Sequence, residues 1–214
     1  MSIKDFSWLR RPVLRRLPAL ALLGWMSAAA QQIDGCGAID QGARDYRMLD
    51  QAQRHHIEGA HFTPEVEWLV RGKTGELGGD IDYTLRHLPN HPRALMALMR
   101  LGQRRGTERI YGLRYPVGCY FVRALHFAPD DARVHLVYGL YLTRQKRLPA
   151  ALSALQEAAS RAGEDPHLHY NLGLAFLALD DVERALHHAR LAYAVGGQPP
   201  GLMNQLKQKG VWQA

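Results

Sequence analysis

The chain has 214 residues, 47% hydrophobic and 22% charged, a balance that excludes a disordered chain and leaves enough sequence to bury a core in one or two domains. Its formal charge of +7 is unevenly placed, because Lys4, Arg10, Arg11, Arg15 and Arg16 against Asp5 put +4 into the first thirty residues. The +3 left on the remainder is too little to argue for a phosphate-binding surface, so nucleic acid is not an expected partner.

The basic start leads into Leu17 to Ala30, a 14-residue apolar run ending in Ala28-Ala29-Ala30 before Gln31-Gln32. A charged n-region, a short h-region and a small-residue end are the pattern of a cleaved secretory signal. Residues 1–30 are therefore expected to be an export signal, with cleavage before Gln31. The run is shorter than the roughly 20 residues a spanning helix needs, and Pro18 interrupts it. Nothing later in the chain is long and apolar enough to span a membrane. The mature product is expected in the periplasm, with an uncleaved inner-membrane anchor as the alternative. Two cysteines, Cys36 and Cys119, are an even count, which in an exported chain favours a disulfide over two buried thiols.

Residues 31–57 read as an irregular N-terminal arm, containing glycine, mixed in charge and weakly periodic. At Thr63-Pro64-Glu65 an N-cap threonine, a proline at the first helical position and acids in the first turn mark a helix start, with Val66, Leu69 and Val70 as its apolar face. Arg71 to Gly79 carries four glycines and reads as a loop; Gly72-Lys73-Thr74 lacks the earlier glycine of a phosphate-binding loop, so turn chemistry suffices. From Asp80 a helix carries Ile81, Leu85 and Leu88 to Pro89-Asn90. The next runs from Pro92 to about Gln103, and its partner runs from Pro116 to Pro129. Between them Arg104 to Tyr115 is a basic, tyrosine-containing insertion.

Ala132 to Pro199 holds two copies of one unit about 34 residues apart: Val137-Tyr138-Gly139-Leu140 answers Asn171-Leu172-Gly173-Leu174, Ala151-Leu152 answers Ala185-Leu186, and Ala158 answers Ala192. A glycine inside an apolar helix costs about 1 kcal/mol relative to alanine. Two at one register imply close approach of a partner helix, with the matching alanines on the other side. After Pro199-Pro200, the residues Leu202, Met203, Leu206 and Trp212 suggest a short terminal helix that caps the last unit.

On these residues the chain resembles the tetratricopeptide repeat family, with Tyr170, Leu172, Gly173, Phe176, Ala185 and Ala192 in the last unit and Tyr138, Gly139, Leu142, Ala151, Leu155 and Ala158 in the one before. His61-Phe62-Thr63-Pro64-Glu65-Val66-Glu67 and Gly79 to Arg86 are also similar to a group of exported proteobacterial members without a settled role. The resemblance implies an all-α array of helical hairpins, a short α-solenoid, over residues 58–214: repeats at about 58–91, 92–131, 132–165 and 166–199, then a cap at 200–214. It also implies a scaffold or adaptor binding a protein or peptide partner, here in assembly of a cell-envelope complex. In that family's geometry the first helix of each repeat lines the binding groove. The groove residues would then be Arg133, Leu136, Val137, Leu140 and Arg144, followed by His167, Tyr170, Asn171 and Leu174.

No catalytic constellation competes with this reading. The eleven histidines all follow residue 54, but His187 and His188 are adjacent, His87 and His91 straddle Pro89, and His167 and His169 lie at a helix start. None forms a His-Glu-x-x-His pair, and solvated or hydrogen-bonded surface histidines are the expectation. Ser153 and Ser160 lack a nucleophile turn, Cys-x-x-Cys is absent, and Asp80 with Asp82, Asp130 with Asp131 and Asp180 with Asp181 read as turn and capping acids. No enzyme activity, cofactor or metal is expected. A metal-binding or hydrolytic protein using its histidines stays open as the rival reading.

Overall fold

The computed structural model describes residues 32–33 and 35–212; the expected export signal lies outside them. Among the described residues the chain is all-helical but for a two-residue antiparallel pair, β1 (Gln32–Ile33) and β2 (Gly37–Ala38). The ten α-helices are α1 (Gln51–His61), α2 (Pro64–Glu67), α3 (Leu77–His87), α4 (Pro92–Arg105), α5 (Val117–Phe127), α6 (Ala132–Arg144), α7 (Leu148–Ser160), α8 (Pro166–Ala178), α9 (Val182–Tyr193) and α10 (Gly201–Gln208). None is long and apolar enough to cross a membrane.

The core falls into two adjoining clusters. One gathers α2 to α6 around Ile81, Leu95, Leu98 and Phe121, and the other gathers α6 to α10 around Leu155, Leu172, Phe176 and Leu202. The helices α6 and α7, and likewise α8 and α9, pack together along their lengths. The two pairs repeat in detail at one spacing. Asp131 and Asp165 each cap the following helix, accepting from the Arg133 and His167 amides, and Lys146 and Asp180 share a left-handed backbone at φ 58° and 60°. At Gly139 a Cβ would lie 3.4 Å from the Ala151 carbonyl, and at Gly173 3.3 Å from the Ala185 carbonyl. The close helix approach expected from these glycines is thus present in both pairs. Leu202 and Leu206 of α10 are fully buried against the last pair.

The N-terminal arm departs from the irregular segment expected. Asp50 and Gln53 form a reciprocal capping box that starts α1, a helix without one buried residue and so without apolar periodicity. The arm is pinned at several points. The Cys36 and Cys119 sulfurs are bonded, across 83 residues of sequence. Arg123, 1% exposed, donates from Nη1 to the carbonyls of Cys36 (3.1 Å) and Ala38 (2.6 Å), with its guanidinium over the Tyr115 ring. Buried Asn90 accepts from the Tyr46 amide at 2.9 Å and donates to Asp45 and Asp131.

Two further expectations are corrected. Thr63 makes no side-chain cap, and its helix ends after four residues, because Leu69 turns left-handed at φ 59°. Asp80, in the first turn of α3, and Asp82 do more than the turn and capping acids expected, since both are buried at the centres of hydrogen-bond networks. Asp80 takes the amides of Lys73 and Thr74, the Thr74 hydroxyl and His61 Nδ1. The turn that resembles a phosphate loop therefore cradles a carboxylate of its own chain. Burial pushes that carboxyl up, but the donors from Thr74, His61 and Lys73 outweigh it and leave the group below its ordinary value. Asp82 accepts from Tyr120 Oη, from Arg86 Nε at 2.8 Å and from the Arg114 amide at 3.1 Å. The last contact fastens the inserted loop to α3.

Candidate functional site

Three alternate helices, α4, α6 and α8, present one side each to an open groove of about 260 Å³. Its apolar floor is Leu136, Val137 and Leu140 of α6 with Met96 of α4, and the polar margin comes from Arg93, Arg100, Arg133, His167 and Asn171. Six of the nine groove residues expected from sequence therefore meet here: Arg133, Leu136, Val137, Leu140, His167 and Asn171. Two of their polar groups are already engaged. Arg133 pairs with Asp165, and Asn171 Nδ2 donates to the His167 carbonyl at 2.8 Å.

The other three residues lie elsewhere. Arg144, in the last turn of α6, borders a separate cavity beside Glu108, Tyr141 and Gln145. Tyr170 stands edge-on to Tyr193, 6.4 Å between centroids, with its hydroxyl against Gly201 at the start of α10. Leu174 packs on the second core cluster. The terminal helix packs against α8 at this end, which is why the groove stops short of Tyr170 and Leu174.

At the opposite end the groove gains a wall from outside the nine residues expected. Trp68, directly after α2, is 67% exposed on its rim. The turn that presents it is fixed from α4: Arg100 Nη2 donates to the Glu67 carbonyl at 3.0 Å, and Arg104 Nη1 donates to the Leu69 carbonyl at 2.7 Å. A left-handed bulky residue costs of order 1–3 kcal/mol and persists only where its surroundings over-determine it. Here the two arginines supply that constraint. The Arg100 guanidinium also lies 5.3 Å from the Trp68 ring centroid, so indole and cation form one shelf. Arg93 is neutralised by Glu58 at 2.8 Å and Glu67 at 3.6 Å, whereas Arg100 has no acidic partner among the described residues.

Several histidines are hydrogen-bonded, and three, His91, His169 and His188, are buried rather than at the surface. His91 caps α4 by accepting the Ala94 amide on Nδ1, which requires Nε2–H to donate to Glu58 at 3.1 Å. Burial pushes its pKa down, with the Glu58 contact acting the other way. His169 and His188 face each other at 3.0 Å between Nδ1 atoms. Since His169 Nε2–H donates to the Gly163 carbonyl, His169 Nδ1 accepts and His188 Nδ1–H donates. Burial and then the neighbouring His169 and His187 push His188 down to about 4. No three His, Cys, Asp or Glu side chains converge on a metal position among the described residues.

Compared with known protein families, curated proteins and solved structures, the chain gives no match.

Proposed function

We propose that this chain is a non-catalytic, tetratricopeptide-like scaffold whose α4–α6–α8 groove binds a protein or peptide partner in the bacterial envelope during assembly of a complex. The observation that carries the reading is the groove itself, an apolar floor among three alternate helices beside an exposed tryptophan held in a constrained turn. Exposed aromatic and arginine side chains at the edge of an apolar trough are the residue types that dominate binding energy at interfaces. The repeated positions about 34 residues apart support the repeat assignment. The disulfide supports an oxidising compartment, hence the periplasm.

Photo-crosslinking tests it. A crosslinker at Met96, in the groove, is expected to yield discrete adducts in envelope extract that disappear with Trp68→Ala, and one at exposed Ser153 of α7 is expected to yield none of them. The same adducts from both positions, or adducts indifferent to Trp68, would move the binding surface away from the groove. One tightly held zinc per purified chain would favour the metal-binding rival instead.

A further inference from the structure

A second cavity, of about 420 Å³, opens beside the groove between the N-terminal arm and the starts of α4 and α6, and Pro92 and Arg133 line both. Adjoining at these two residues, the cavities make up a trough with Trp68 lining one part and Tyr46 with Arg54 the other. Its two ends are built alike. At one end the Arg54 guanidinium lies 4.8 Å from the Tyr46 ring centroid and reaches the Arg47 carbonyl through Nη2. At the other, Arg100 lies over Trp68 and reaches the Glu67 carbonyl through Nη2.

The remaining arginines of the trough are compensated: Arg47 by Asp45, Asp130 and Asp131, Arg93 by Glu58 and Glu67, and Arg133 by Asp165. Arg54 and Arg100 have no acidic partner among the described residues. Each also has a buried Nε without a hydrogen-bond acceptor there. A buried, unanswered guanidinium N–H is costly, and an anion beside it recovers part of that cost. An aromatic face beneath the guanidinium fixes its plane, leaving the outer Nη1 edge to meet a carboxylate.

We infer that the trough takes an extended acidic peptide segment, its apolar side chains over Met96, Leu136 and Leu140 and its carboxylates at the two aromatic-backed arginines, Arg54 and Arg100. The inference rests on the groove being the binding surface. It adds the chemistry of the partner, and it extends the site onto the N-terminal arm.

Fluorescence anisotropy on the disulfide-bonded protein tests it with three labelled peptides of one apolar pattern, in which Leu and Phe alternate with Asp and Glu, with Asn and Gln, or with Lys. The acidic peptide is expected to bind at least about tenfold more tightly than the amide version, the scale of losing one charge-assisted pair, and to weaken with salt. The Arg54→Gln/Arg100→Gln double variant is expected to bind both equally, and Arg54→Lys/Arg100→Lys to keep part of the preference. Thermal melts confirm that each variant is folded. Equal binding of acidic and amide peptides by the unaltered protein overturns the charge inference and leaves the groove reading standing. A preference that survives the Gln substitutions, tightest binding of the Lys peptide, or tighter binding of an oligothymidylate overturns it as well. If no peptide binds, or Trp68→Ala changes nothing, the groove reading falls with it.

Discussion

Replacing Cys36 and Cys119 together by alanine removes a crosslink between positions 83 residues apart. In the chain-entropy account a loop of that length costs the unfolded state about 4.5 kcal/mol of freedom at 25 °C. The native side of the balance changes far less, because the arm has other anchors: Arg123 on the Cys36 and Ala38 carbonyls, Arg86 on Asp40 at 3.1 Å, and Asn90 on the Tyr46 amide. The double variant is therefore expected to keep its native near-UV circular dichroism while losing about 4 kcal/mol of stability. With a guanidinium slope of about 4 kcal/mol/M for a chain this size, the unfolding midpoint drops by about 1 M, and the slope rises because the unfolded chain expands. Guanidinium titrations of the oxidised protein and the variant measure both. A midpoint shift below about 0.2 M, or a native spectrum already altered in the variant, would refute the argument that the bond acts on the unfolded state.

In Gly139→Ala the new methyl meets Leu155 Cδ2 at 2.6 Å and Cγ at 2.8 Å, whereas in Gly173→Ala the contact under 3 Å is with Leu202 Cδ2, a side-chain tip on α10. After about 1 kcal/mol gained in helix propensity, Gly139→Ala is expected to cost about 1–2 kcal/mol and Gly173→Ala less, and the reverse order in thermal melts would refute the packing account. His188 has a folded pKa of about 4 against an ordinary 6.5, so between those values the unfolded chain binds the extra proton. Stability present above about pH 6.5 is lost as pH falls toward 4, by up to about 3 kcal/mol. His188→Gln, which still offers His169 a donor, should flatten that limb of a Tm–pH profile, and an unchanged limb would remove the histidine pair as its cause. Arg123→Met strands the Cys36 and Ala38 carbonyls and is expected to cost about 3 kcal/mol and to speed amide exchange in the arm; exchange as slow as in the parent would show that other contacts hold it.

Where residue identity carries an energetic cost, sequence and structure agree. Gly139 and Gly173 are tolerated mid-helix only because another helix comes within a methyl of them, so their common spacing announced the paired packing. The left-handed turns at Lys146 and Asp180 obey the same spacing but carry no glycine, and composition is silent about them. The α1 helix went unseen for the opposite reason. It buries nothing, so its one signal in sequence is the Asp50–Gln53 capping box within a polar stretch. Burial of Asp80, Asp82, His91, His169 and His188 was equally hidden, because each polar residue finds its partner in a different element. Such partners are legible only once the helices are placed.

The groove divides along the same line. Arg133, Leu136, Val137 and Leu140 of α6 meet His167 and Asn171 of α8, whereas Arg144, in the last turn of α6, borders the neighbouring cavity instead. Two further departures are set by irregular parts: α10 covers Tyr170, and the short α2 swings Trp68 to the rim. Trp68 reads in sequence as one more side chain of a helix that Val66, Leu69 and Val70 would extend. What stops that helix is the left-handed turn at Leu69, and what stabilises the turn is a pair of arginines about thirty residues later in α4. An anchor whose position depends on two carbonyl contacts from another helix leaves no local pattern. The same dependence makes it testable: Arg104→Gln, remote from the groove floor, should release the turn and weaken ligand binding as Trp68→Ala does, while Arg144→Gln, in the neighbouring cavity, should leave binding unchanged. Undiminished binding by Arg104→Gln would show that Trp68 is held by something other than this contact.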